Sequence, residues 1–226
     1  MKNLLRLLLS LAAAGLSFSA QAQSAQAGSP QAGSPQAGEK KAATCIGCHG
    51  IPGYQASFPE IYKVPMIAGQ NAKYLATSLA GYKKGDRKHP TMRAVATSLS
   101  EQDMADLAAY YEQLGKAGEP VEAKAAPAPS TEVAELLKRG NCASCHGENF
   151  SKPIDAGYPK LAGQHGDYLY AALRAYQTDK NPQVGRNNAI MMGMARPFTH
   201  AEVKVIANYM ASLPGDLKTV PQSRWR

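Results

Sequence analysis

At 226 residues the chain is long for one small helical domain and comfortable for two, each able to bury a core of its own. Its formal charge of +8 falls to +6 once Lys2 and Arg6 leave with the N-terminal segment. So mild a balance, without any aromatic-plus-basic module, gives no strong case for a nucleic-acid partner, and none is expected.

The first residues predict a secretory signal over 1–22. Lys2 and Arg6 form a positive start, an apolar stretch runs over residues 7–16, and Ala20-Gln21-Ala22 offers a small-residue cleavage site. A membrane anchor needs about 18 or more apolar residues in a row, and Ser17, Ser19 and Gln21 interrupt too early. The mature protein is therefore expected in an oxidising space, the periplasm. Residues 23–38 stutter through two copies of Gln-Ala-Gly-Ser-Pro, with almost nothing apolar to bury, and read as a disordered leader.

A first domain is expected over 39–116. It opens on Cys45-Ile46-Gly47-Cys48-His49, continues with a middle helix carrying Leu75, Leu79 and Tyr82 on one face, and closes with a helix carrying Met104, Leu107, Ala108 and Tyr111. Ser100 and Asp103 have capping-box spacing ahead of that last helix, and Gly115 stops it. The closely spaced prolines of residues 117–129 exclude a continuing helix and mark a linker. The second domain, 130–226 with a C-terminal tail, begins with a short helix behind Ser130 and Thr131. It then presents Cys142-Ala143-Ser144-Cys145-His146, a middle helix with Leu169, Leu173 and Tyr176, and a last helix with Val203, Ile206, Ala207 and Met210. Thr199 and Glu202 repeat the capping box, and Pro214-Gly215 ends the helix. No alternating strand pattern competes.

Three blocks thus recur in the same order. Residues 45–49 match 142–146, Pro65-Met66-Ile67-Ala68-Gly69-Gln70 matches Pro159-Lys160-Leu161-Ala162-Gly163-Gln164, and residues 99–110 match 198–209, at offsets of 97, 94 and 99. One domain has been duplicated.

In each C-x-x-C-H motif, two thiols and an imidazole share one turn of chain, the signature of covalent haem attachment. Two cysteines at this spacing can form thioethers to both vinyl groups of one porphyrin, and the adjacent histidine can then reach its iron. Disulfides within the pairs would leave the histidines unexplained, a thioredoxin-like motif would need a β-α-β setting, and immediate adjacency crowds a tetrahedral zinc ion. Cys45, Cys48, Cys142 and Cys145 are thus expected to hold two haem c groups, with His49 and His146 as iron ligands.

A low-spin carrier needs a sixth ligand, and methionine raises the reduction potential. Counting back seven residues from Leu99 and Phe198 lands on Met92 and Met191, each in a loop ahead of the last helix. Met192 and Met194 stand close enough to compete, and register favours Met191. Met66 is matched by Lys160 and is expected to pack. His89, His165 and His200 are matched by Asn188, Asn71 and Glu101, and are expected at the surface or around the ligands.

The chain resembles the two-haem cytochrome c4 family from about Glu39 to Leu213, through its two C-x-x-C-H motifs, its two P-x-[IL]-A-G-Q segments and the methionine before each final helix. The resemblance implies an all-α fold of two tandem class I cytochrome c-like domains packed face to face, with His and Met on each iron. It also implies that Pro65 and Pro159 hold the proximal rings through their carbonyls, and that electrons pass in the periplasm to a terminal oxidase or similar acceptor. The chain departs from the family at Gly50-Ile51-Pro52-Gly53-Tyr54, where an acidic, glycine-rich turn is usual and a longer apolar loop follows here.

The expected activity is outer-sphere electron carriage between redox protein partners, with docking to a membrane complex compatible with that role. Lys83, Lys84, Arg87, Lys88 and Arg93 cluster around the first methionine, where they could steer an acidic partner or form a solvated loop. The alternatives are an electron-accepting subunit of a dehydrogenase complex and a dihaem peroxidase. The latter needs an open iron position, which a methionine in each copy argues against.

Overall fold

Ser34 opens the first helix of the computed structural model, which describes residues 32–116 and 125–221. Its side chain accepts from the Ala37 amide, and Pro35 takes the first helical position, where a missing N–H costs nothing. Helix α1 is therefore Pro35–Lys41, and the expected leader boundary at residue 38 is too late. The composition hid this helix because its contacts are not apolar. Gly38 lies so close to the backbone of Asp106 that no Cβ would fit. Asp106, only 3% exposed, accepts from the Ser34 amide at 2.9 Å and from Lys41 Nζ at 2.7 Å. The expected signal peptide, residues 23–31 of the leader and residues 117–124 of the linker lie outside the described residues.

The first domain continues with α2 (Ala43–His49), β1 (Gln55–Ala56), β2 (Tyr62–Lys63), α3 (Ala72–Lys84), β3 (Arg87–Lys88), α4 (Pro90–Thr97) and α5 (Glu101–Leu114). The second comprises α6 (Thr131–Arg139), α7 (Ala143–His146), α8 (Gly166–Gln177), β4 (Gly185–Arg186), α9 (Ala189–Ala195) and α10 (His200–Ser212). Both capping boxes form, at Ser100–Asp103 and Thr199–Glu202. The faces they orient are buried: Met104, Leu107, Ala108 and Tyr111 on α5, and Val203, Ile206, Ala207 and Met210 on α10. Each domain has its own core around its last helix.

The chain is not helical throughout. Strands β1 and β2 form an antiparallel hairpin, and β3 pairs with β4 from the other domain, Arg87 opposite Arg186. Two-residue strands are too short to show any alternation in sequence.

That pairing lies on a seam between the domains that repeats itself under exchange of the two halves. Gln70 donates to the Lys160 carbonyl at 3.0 Å and accepts from the Lys160 amide at 2.9 Å. Gln164 does the same to Met66, donating to its carbonyl at 2.9 Å and accepting from its amide at 3.0 Å. Both glutamines are 4% exposed. The C-terminal tail adds a strap, with the Lys218 amide bonded to the Ala68 carbonyl and Val220 packed on the first core.

Removing either glutamine side chain strands a paired amide and carbonyl. Gln70→Ala and Gln164→Ala should each cost about 1–3 kcal/mol, read as a lowered denaturant midpoint of the holoprotein, and the two losses should be similar.

Candidate haem sites

The geometry of each site starts from the proline of its P-x-[IL]-A-G-Q segment. His49 Nδ1 donates to the Pro65 carbonyl at 2.8 Å, and His146 Nδ1 donates to the Pro159 carbonyl at 3.0 Å. Such a bond sets the ring plane and the tautomer, and makes the other nitrogen a better donor to a metal. Nε2 of each ring has no hydrogen-bond partner among the described residues. Burial holds both imidazoles below the usual histidine range, so they stay neutral.

The cysteines come from the same helical turns. Cys45 and Cys48 lie on α2, Cys142 is the N-cap of α7, and Cys145 lies within it. All four are half-buried and unpaired. Burial pushes the Cys45 and Cys142 thiols up, which disfavours the thiolate that disulfide exchange would need. No cluster of three or more His, Cys, Asp or Glu side chains able to hold a metal ion occurs among the described residues.

Met92 and Met191 occupy the same place in their domains, the third residue of α4 and of α9. The loops expected there are helical, because Pro90 and the caps at His89 and Asn188 nucleate helices of about two turns, too short for periodicity to resolve. The Met92 amide donates to His89 Nδ1 at 3.3 Å, and the Met191 amide donates to Asn188 Oδ1 at 3.0 Å. Both methionines are half-buried. Met192 corresponds to the exposed Arg93, and Met194 is 44% exposed. Met66 is half-buried with its backbone held by Gln164. His200 is exposed, and His165 is half-buried at the start of α8.

One group of residues escaped the sequence reading. Arg87 donates to the Tyr74 hydroxyl at 2.8 Å and lies over the rings of Tyr74 and Tyr82. Arg186 donates to the Tyr168 hydroxyl at 3.0 Å and lies over Tyr168 and Tyr176. The signal was present in the repeat, since each arginine stands five residues before its methionine. Arg87 is thus part of the seam rather than of a free basic patch. Its former neighbours are engaged too, Lys84 with Asp86 at 3.2 Å and Lys88 with the Asn181 carbonyl at 2.7 Å.

Neither arginine has a carboxylate partner among the described residues, although both are half-buried and ringed by tyrosines. Two positive charges so placed call for anions. In each half the donor set is two thiols, one neutral imidazole with a free Nε2, one half-buried thioether and one guanidinium without a counter-ion. A haem c, with two vinyl groups, an iron and two carboxylates, fits it.

A cytochrome c family model matches residues 35–115 and 130–214. The chain is 31% identical over 190 residues to cytochrome c4 of Azotobacter vinelandii, covering 76% of this chain and 86% of that one. It is 29% identical over 188 residues to a thiosulfate dehydrogenase electron acceptor of Thiomonas intermedia (strain K12), covering 77% and 80%. The crystal structure of reduced recombinant cytochrome c4 from Pseudomonas stutzeri superposes with a TM-score of 0.58 at 27% identity, over 81% of this chain and all of that one.

Two haem c groups are therefore attached, through Cys45 and Cys48 and through Cys142 and Cys145, and the protein carries electrons rather than acting as an enzyme. A Cys142→Ala/Cys145→Ala double variant should drop from two covalent haems per chain to one, counted by alkaline pyridine spectra against protein mass. The chain belongs to the cytochrome c family, and within it to the two-haem cytochromes c4.

Proposed function

We propose that both irons are six-coordinate, His49 with Met92 and His146 with Met191, and that the protein relays electrons by outer-sphere transfer. The observation carrying this reading is the equivalence of the two methionines, each third in its helix and each held by the side chain that caps it. The haem supplies the redox chemistry, one electron at each iron.

The chain's own residues do the rest. The Pro65 and Pro159 carbonyls orient the imidazoles and keep Nε2 available in both oxidation states. The methionine thioethers favour the reduced iron and raise the potential. Arg87 and Arg186 would balance haem carboxylates, and their positive charge would also favour the reduced, less positive iron. Retained axial ligands and a seam held by reciprocal hydrogen bonds keep the structural change on electron transfer small.

The signal expected over residues 1–22 supports an exported, periplasmic location; among the described residues no helix is long and apolar enough to cross a membrane. There the protein would pass electrons between respiratory-chain partners towards a terminal oxidase, docking at a membrane complex. A second reading is supported by relatives named thiosulfate dehydrogenase electron acceptors, in which the donor is a dehydrogenase. Stopped-flow reduction by a thiosulfate dehydrogenase, set beside oxidation by a terminal oxidase, separates the two.

Met92→Ala and Met191→Ala should each lower one of the two midpoint potentials and open one ferrous haem to carbon monoxide. Met192→Ala and Met194→Ala should do neither. Arg87→Gln and Arg186→Gln should shift potentials downward in spectroelectrochemical titrations without loss of haem, as expected when a cation near the reduced, less positive iron site ceases to balance a carboxylate.

A further inference from the structure

The two domains hold their methionines by different means. In the second, Asn188 caps α9 and takes the Met191 amide, and its side chain makes no other hydrogen bond among the described residues. In the first, the cap is His89, whose imidazole has two ends. Nδ1 accepts from the Met92 amide, so the proton lies on Nε2, which donates to the Tyr62 hydroxyl at 3.0 Å. The ring of Phe58 stands edge-on to the same imidazole, with centroids 6.1 Å apart.

Tyr62 is 7% exposed and belongs to strand β2. The β1–β2 hairpin lies in the loop that is three residues longer in this domain, and the matching loop of the second domain forms no strand. The hairpin is in turn tied to the other domain. The Lys63 amide donates to Asp167 Oδ2 at 3.0 Å, and the Tyr62 ring lies 6.1 Å from that of Tyr168 on α8. A continuous path of contacts thus runs from α8 of the second domain, through β2 and His89, to the backbone of Met92. Among the described residues the second domain has no equivalent path to Met191 through its asparagine cap.

We infer that His89, held by Tyr62, is a positioning residue for Met92, and that it makes ligation of the first iron, but not of the second, depend on a closed seam between the domains. This rests on Met92 as the sixth ligand. With the imidazole clamped at both ends and against Phe58, the first turn of α4 is fixed in place. Without the clamp the thioether has a free helix end to swing on.

The test uses the full two-haem protein. Ferric haem bound by methionine sulfur has a weak red charge-transfer band, whose amplitude counts methionine-ligated irons. His89→Ala should lose about half of it, lower one midpoint potential and leave the other in place. His89→Asn, which copies the second domain's cap but cannot reach Tyr62, should restore the band. Tyr62→Phe and Asp167→Ala should keep the band but speed imidazole binding at one haem by about threefold to tenfold, the equivalent of one hydrogen bond. For Asp167→Ala that haem should be the one whose midpoint potential His89→Ala lowers, although Asp167 belongs to the other domain.

A full band and unchanged potentials in His89→Ala would overturn the inference while leaving methionine ligation standing. Equal acceleration at both haems in Tyr62→Phe would overturn the dependence on the seam. Absence of the band from the unmodified protein would overturn Met92 ligation, and the inference with it.

Discussion

One backbone segment in each domain holds both the histidine of the C-x-x-C-H motif and the seam. The Pro65 carbonyl fixes His49, the next residue, Met66, is gripped on both polar atoms by Gln164, and Gln70 grips the other domain in return. The second domain mirrors each step from Pro159 to Gln164. A main-chain carbonyl has little freedom of its own, so the ring it holds is as well placed as the segment. The segment, in turn, is only as well placed as the contact between domains. Placement of the two imidazoles and packing of the domains are therefore a single mechanical problem in this protein.

The same economy governs charge. Two guanidinium groups brought side by side by an interdomain strand pair would repel, and their partial burial would be costly in a seam made only of protein. Tyrosine faces and hydroxyls soften that cost, and the Arg87 guanidinium draws the neighbouring Tyr74 hydroxyl below the usual tyrosine range despite burial. What remains is a positive electrostatic environment in the position where a cofactor with carboxylates can be received. The assembly is thus shaped for its prosthetic groups as much as by its own core.

The two halves share one plan and differ at particular loops and caps. The longer loop of the first domain carries a hairpin, the cap is His89 in one half and Asn188 in the other, and the tail after α10 crosses to Ala68 of the first domain. None of these alters the cysteines or histidines. They alter what holds them, which is where two otherwise equivalent redox centres can acquire different properties.

By itself the sequence determined the two domains, the four attachment cysteines, both histidines and the cap and apolar face of each last helix. Those features rest on local spacing: a C-x-x-C-H turn, a capping box and a helical stripe each lie within a few residues, and the repeat states them twice. Tertiary structure decided the rest. Helix α1 was hidden in a low-complexity stretch because its glycine makes contact by backbone approach to α5 rather than through an apolar side chain. The short helices around Met92 and Met191 are one or two turns long, below the length at which a period can be read. Arg87 looked like a surface charge because Tyr74 and Tyr82 close on it only when α3 folds beside β3, and the opposing Arg186 arrives only when the two halves meet. A pattern along the chain encodes what neighbours in sequence do together, and the seam is built from residues about a hundred positions apart, such as Asp86 and Asn187.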